Sequence, residues 1–405
     1  MLKRTGSVKH FPSSQLGVGC ADITARERRY VQDVLRTTRL SYGPYSQKFE
    51  KLFSQVHDCR FAVFCNSGTS ALQAAVACLK ELEGWKDDDE IIVPALTFIA
   101  TSNVVIQNKM KPVFVDADPL TYNIAPEKIG PKITSKTRAI IPAHLFGLPC
   151  DMDPILDLAK KHHLKVIEDS CETMFVSYKG RKVGSMGDIS CFSTYMAHFI
   201  VTGVGGLAVT SNPDYAVVLK SLMNHGRDSI YLSIDDDKNL SGDALFQVVD
   251  KRFRFVRVGY SYRCTEMEAA LGLAQLERRD KILAARQNNA RTLVEKLKPL
   301  SGHLQLPTIP PGFEHAFMMF PIVVKSERFK KKDLVHFLEE NQVETRDMFP
   351  LINQPIYLKL FGDLRKDYPA AIFINENGFF IGCHQKLSRQ DLDYIVDRFF
   401  EFFKD

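Results

Sequence analysis

Five short runs rich in β-branched and aromatic residues, with helical patterns between them, dominate the first 170 residues. They are FAVFC (61–65), EIIVP (90–94), KPVFVD (111–116), RAIIPAHL (138–145) and KVIED (165–169). Apolar residues at helical spacing fill Thr69–Glu83, Thr97–Asn108 and Met152–His162. Strands separated in this way need right-handed crossovers, which predicts an α/β fold around a mostly parallel sheet. Polar residues at the strand ends, Asn66, Asp116, His144 and Asp169, then gather on the carboxyl edge. Ligands bind there in this fold class.

A chain of 405 residues exceeds what one ordinary core supports, so a second unit is expected. From Arg263 a long helical pattern, TEMEAALGLAQLERRDKILAARQNNARTLVEKL, reads as a connector into a smaller C-terminal α+β domain. That domain contains strand-like FPIVV (320–324), a helix over Lys331–Glu340, strand-like GFFIG (378–382) and a final amphipathic helix from Ser388. The expected division is residues 1–262 and residues 263–405. The acidic, polar stretch from Ser233 to Leu245 reads as a loop or insertion.

The formal charge of +5 is small, and no long block of one sign occurs, which argues against nucleic-acid and membrane-surface partners. The basic start MLKRTGSVKHFPSSQLG has no apolar run behind it, so no signal peptide is expected. The apolar stretch Ser70–Leu79 is helix-sized, too short to span a bilayer. Nine cysteines without a CxxC pair argue against a disulfide framework, a metal site or an iron–sulfur cluster. Reduced thiols in a cytoplasmic protein are the plain expectation.

Three segments can carry chemistry. NSGTS (66–70) follows a strand and opens a helix, where small residues admit a phosphate to the positive helix end; an ordinary N-cap explains it as well. In VIEDSCET, Asp169 ends a strand, as a ligand carboxylate or as a turn residue. CFSTYMAHFIVTGVGG (191–206) combines Ser193, His198 and glycines at 203, 205 and 206. It reads either as a Gly-rich turn holding a buried imidazole or as part of a site.

With SYGPYSQKFE, CNSGTSAL, VPALTFIATSNVV, KPVFVDADPLTYNI, IIPAHLFGLPCDMDPI, YKGRKVGSMGDISCFS, GYSYRCTEMEAALGLAQLERRD and TRDMFPLINQP, these segments make the chain resemble the sugar aminotransferase family DegT/DnrJ/EryC1/StrS. The resemblance covers nearly the whole chain. It implies the pyridoxal-phosphate-dependent aspartate aminotransferase fold (type I) and a homodimer with active sites shared between subunits. Carried onto this sequence, Gly68, Thr69 and Ser193 match the positions that hold the cofactor phosphate, and Phe98 the aromatic that stacks on the pyridine ring. Asp169 matches the partner of the pyridine nitrogen, whose pKa a carboxylate raises. Glu172 matches a polar position near the ring. Ser261 falls where the family commonly has an asparagine reaching the phosphate from the partner subunit.

At the family's Schiff-base lysine stands His198, and no lysine lies between Lys182 and Lys220. An imidazole cannot form that covalent bond but can move a proton near neutral pH. The same replacement marks the nucleotide-sugar 3-dehydratases acting on 4-keto-6-deoxyhexoses, in which the histidine serves as base. Val204 replaces the acidic residue of the glycine cluster, and Phe199 stands where that subset often has a second histidine. The implied function is a colitose-type 3-dehydratase, independent of iron–sulfur chemistry, in deoxysugar biosynthesis. The cofactor would alternate between pyridoxal and pyridoxamine phosphate, with L-glutamate as amino donor. A sugar aminotransferase of the same family, and a non-catalytic paralogue binding cofactor or sugar nucleotide, are the alternatives. An unperturbed imidazole titrates near ~6.5, which would place the acid-side loss of activity there.

Overall fold

The computed structural model describes residues 12, 14–228, 239–348 and 351–404. Thirteen strands occur among them. β1 (Phe61–Cys65), β2 (Glu90–Pro94), β3 (Lys111–Val115), β4 (Thr137–Ile140) and β5 (Lys165–Asp169) are followed by a small hairpin, β6 (Ser177–Tyr178) and β7 (Arg181–Lys182). Next come β8 (Ile189–Ser193), β9 (Gly206–Thr210), β10 (Leu304–Gln305), β11 (Phe320–Val324), β12 (Thr345–Asp347) and β13 (Gly378–Ile381).

The large sheet has seven strands in the order β1-β9-β8-β5-β4-β2-β3. β3, β2, β4, β5 and β8 run parallel to one another, while β9 is antiparallel to both β1 and β8. Successive side chains point to opposite faces, and both faces are covered. Ile91, Val93 and Ile167 join one apolar cluster, whereas Ile92, Ile140 and Val166 join another. Burial on both faces explains why these strands read as continuous apolar runs instead of alternating.

β4 is shorter than the run 138–145 suggests, although Ala143 still bridges Asp169 in parallel and Ala143–Leu145 line the cavity. The helix expected over Thr97–Asn108 spans Ala100–Gln107. The connector is two helices, Glu266–Leu276 and Arg279–Leu297. Of the stretch expected as a loop, 233–238 lies outside the described residues, and Gly242 opens a helix to Lys251.

The second sheet, in the order β10-β11-β13-β12, carries its own apolar cluster with the C-terminal helix Arg389–Phe402. Leu16, from the N-terminal stretch, joins that cluster and bridges to Val343. The long helix Arg279–Leu297 packs on this cluster through Ala290, Leu293 and Leu297. Its Gln287 side chain donates to the His315 carbonyl (3.0 Å), and Asn289 donates to that of His384 (2.9 Å). No helix among the described residues is long and apolar enough to cross a membrane.

Candidate active site

A cavity of about 380 Å³ opens on the carboxyl edge of the large sheet. The ends of β1, β5 and β8 deliver Asn66, Asp169 and Ser193 to it. The loop after β2 brings Thr97 and Phe98, the helix Gly68–Leu82 its first turn, and the loop between β8 and β9 Tyr195, Ala197, His198 and Val204.

At one end the cavity meets a helix start. The Ser67 hydroxyl accepts from the Ser70 N–H (3.0 Å) as N-cap, and Gly68 and Thr69 form the first turn. The open N–H groups and dipole of such a turn attract an anion. The glycines there serve close approach. A Cβ on Gly68 would lie 2.7 Å from Cys171 Sγ, and one on Gly206 would lie 2.3 Å from the Ser67 carbonyl carbon. β9 can begin directly against the helix start only because residue 206 has no side chain. Ser193, at the end of β8, is brought to the same end by its contact with Gly68.

Elsewhere along the wall is Asp169, buried and oriented. Thr101 Oγ1 donates to its Oδ2 (2.7 Å) and the Cys171 N–H to its Oδ1 (3.2 Å). Behind it, Glu168 is fully buried and accepts from Gly184, Met186 and Gly187 N–H groups and from Ser190. His144 completes that network. Its Nδ1 accepts from the Cys150 N–H (2.9 Å), so Nε2 bears the proton and donates to Glu168 Oε2 (3.1 Å). His144 is thereby fixed as a wall. Glu172 accepts from the Phe146 N–H (2.8 Å). Burial pushes its carboxyl up to about 8; the Phe146 N–H opposes this and the neighbouring Asp169 charge adds to it. Phe98 is 53% exposed and lines the cavity with its aromatic ring.

His198 is half-buried in a tightly tied loop. Its N–H donates to the Tyr195 carbonyl (3.0 Å), and Nδ1 lies 3.3 Å from the same oxygen. That contact assigns the proton to Nδ1 and leaves Nε2 as the free basic atom. Thr194 and Thr202 hydroxyls pair at 2.6 Å across the loop, and the Gln275 amide grips Val201 at both its N–H (2.9 Å) and its carbonyl (2.6 Å). Burial lowers the His198 pKa to about 4, the Tyr195 carbonyl opposing and the Arg286 charge assisting. The ordinary value of 6.5 therefore does not apply, and the imidazole is neutral across the physiological range.

Gly68, Thr69, Phe98, Asp169, Glu172, Ser193 and His198 thus line one cavity, whereas Ser261 does not. Ser261 is exposed, bridges to Asn224 and accepts from Arg263 (3.3 Å). No lysine lines the cavity among the described residues. Nor does any group of three or more His, Cys, Asp or Glu side chains among them form a metal site. Thr101, Gln275, Met318 and Arg286 were not signalled by any local pattern. A helix start suited to an anion, a buried carboxylate, a partly exposed aromatic ring and a neutral imidazole in one cavity fit pyridoxal phosphate.

The sequence profile of the DegT/DnrJ/EryC1/StrS aminotransferase family matches residues 21–400. The GDP-perosamine synthase of Caulobacter vibrioides is 34% identical over 94% of this chain and 96% of its own length. The dTDP-4-dehydro-2,6-dideoxy-D-glucose 3-dehydratase of Saccharopolyspora spinosa is 32% identical over 90% of this chain and 81% of its own. The structure of E. coli GDP-4-keto-6-deoxy-D-mannose-3-dehydratase with bound hydrated PLP superposes with a TM-score of 0.86. It shares 26% identity and covers 96% of this chain and 100% of that one.

Proposed function

As the chain belongs to the DegT/DnrJ/EryC1/StrS aminotransferase family, a pyridoxal-phosphate-dependent group of nucleotide-sugar aminotransferases and 3-dehydratases, we propose that it is a 3-dehydratase of nucleotide-linked 4-keto-6-deoxyhexoses. The observation that carries this reading is the cavity wall itself. It includes His198, the residue that the family resemblance sets at the Schiff-base position, and no lysine among the described residues lines it.

Pyridoxamine phosphate, when bound, supplies the amine and the electron sink. The protein holds, orients and moves protons. Gly68, Thr69 and Ser193 are the proposed phosphate anchors, Phe98 the ring platform, and Asp169 the carboxylate that favours a protonated ring nitrogen. Glu172, kept protonated by burial, serves as a neutral hydrogen-bonding group. His198 Nε2 takes the proton that must leave for the C3 hydroxyl to depart. Overall, glutamate and the ketosugar become 2-oxoglutarate, ammonia and a 3-deoxy-4-ketosugar. Ser261 and its neighbours are proposed to meet a second copy's site in a homodimer. The perosamine-synthase relative, together with Val204 in the cavity wall, favours one other reading: an aminotransferase that works without a lysine.

Linkage chemistry tests the reading. Borohydride treatment of protein loaded with pyridoxal phosphate should leave peptide 191–206 unmodified and the cofactor removable by dialysis. A phosphopyridoxyl group on a lysine facing Asp169 overturns the unlinked site.

A further inference from the structure

Arg286 is completely buried, yet no carboxylate among the described residues pairs with it. Its Nη1 donates to the Met318 carbonyl (2.8 Å), its Nη2 to the His198 carbonyl (3.3 Å), and its Nε has no partner. The guanidinium carbon sits 4.9 Å from the centre of the Phe199 ring, which is itself fully buried. A guanidinium taken out of water without an anion is costly, so packing stability alone is a poor reason to keep one there.

Its placement supplies a reason. His198 and Met318 line the same cavity from opposite parts of the chain, and Arg286 grips both backbones from behind. The Tyr195 carbonyl holds the His198 N–H, and Arg286 holds the His198 carbonyl, so the residue is fixed at both ends of its own backbone. Phe199 gives the guanidinium a face to rest on. We propose that Arg286 is the positioning residue for His198, cross-linking the loop that carries the base to the cavity-lining segment at Met318. The inference rests on the base role given to His198 above.

The electrostatics run the same way. The groups facing Arg286 are Cys20 from the N-terminal stretch and Cys383 and His384 after β13. Burial pushes both thiols up and the His384 imidazole down, so all three are neutral at neutral pH. The Arg286 charge therefore adds to burial, the larger cause, in disfavouring the His198 imidazolium.

Two variants test this. Arg286→Met removes the charge and the hydrogen bonds to the Phe317, Met318 and His198 carbonyls; Arg286→Lys keeps the charge but cannot fork across them. Both should lower kcat by on the order of 10–10²-fold, as a misplaced catalytic group does, with the pyridoxal phosphate Kd within about twofold of the parent. Only Arg286→Met should raise the His198 titration midpoint, followed by NMR of the imidazole. Should Arg286→Met not fold, Arg286→Lys decides alone through kcat and cofactor Kd. Parent-level kcat in a folded Arg286→Lys, or an unchanged His198 midpoint in Arg286→Met, overturns the assignment. If the His198→Asn variant keeps parent activity, the base role itself has failed; that result is separate from loss of positioning.

Discussion

His198→Asn should bind pyridoxal phosphate as the parent does and yet turn over roughly 10²–10⁴-fold more slowly, the usual loss when a general base is removed. No covalent bond to the cofactor is lost, and the Asn side chain reaches less far than Nε2 while offering no basic nitrogen. The pH profile of the parent sharpens the expectation. Burial lowers the His198 pKa to about 4, so the base stays competent well below the ordinary imidazole range. The acid limb should accordingly fall near pH 4–5 and not near 6.5. Stability has a definite sign too. Below 6.5 the unfolded chain takes up a proton that the folded imidazole refuses until about 4. This contribution is present above 6.5 and lost as pH falls through 4, and the Asn variant should lack it. His198→Lys restores an amine at the same place. A covalent cofactor linkage with an absorbance shift should appear, and dehydration should give way to transamination or to a trapped cofactor. Parent-rate dehydration in the Asn variant makes His198 a bystander.

Asp169→Asn is the second large effect. The variant keeps the shape that Thr101 and the Cys171 N–H surround, and it should fold normally. It removes the negative charge that favours a protonated ring nitrogen. Turnover should fall by at least ~10²-fold, the scale of a lost preorganised electrostatic contact, with a thermal midpoint close to the parent's. Full activity would leave Asp169 a structural residue only.

What the sequence disclosed follows from how local each signal is. β1, β2, β3 and β5 lie where the apolar runs place them, because a strand buried on both faces writes its burial into consecutive residues. Residues attached to strand ends, such as Asp169 and Ser193, were readable for the same reason. The helices Ala25–Thr37 and Pro44–Val56 were not singled out, although Thr24 and Glu27 form a capping box at the first. Arg286 was out of reach altogether. Its partner His198 is 88 residues away, and one more Arg on a charged helix looks solvent-facing until the fold buries it. Ser261 shows the opposite limit. Its motif matches the family block, but within one chain it sits away from the cavity, so its expected role depends on a second copy.

The most direct test supplies the protein with pyridoxal phosphate, L-glutamate and a panel of GDP-, CDP-, dTDP- and UDP-linked 4-keto-6-deoxyhexoses, followed by mass spectrometry of the sugar and an ammonia assay. The account predicts, for at least one nucleotide, a sugar lighter by one oxygen with ammonia and 2-oxoglutarate formed in equal amounts. A sugar that instead retains its C3 oxygen and carries nitrogen at C4, with no ammonia released, would contradict it.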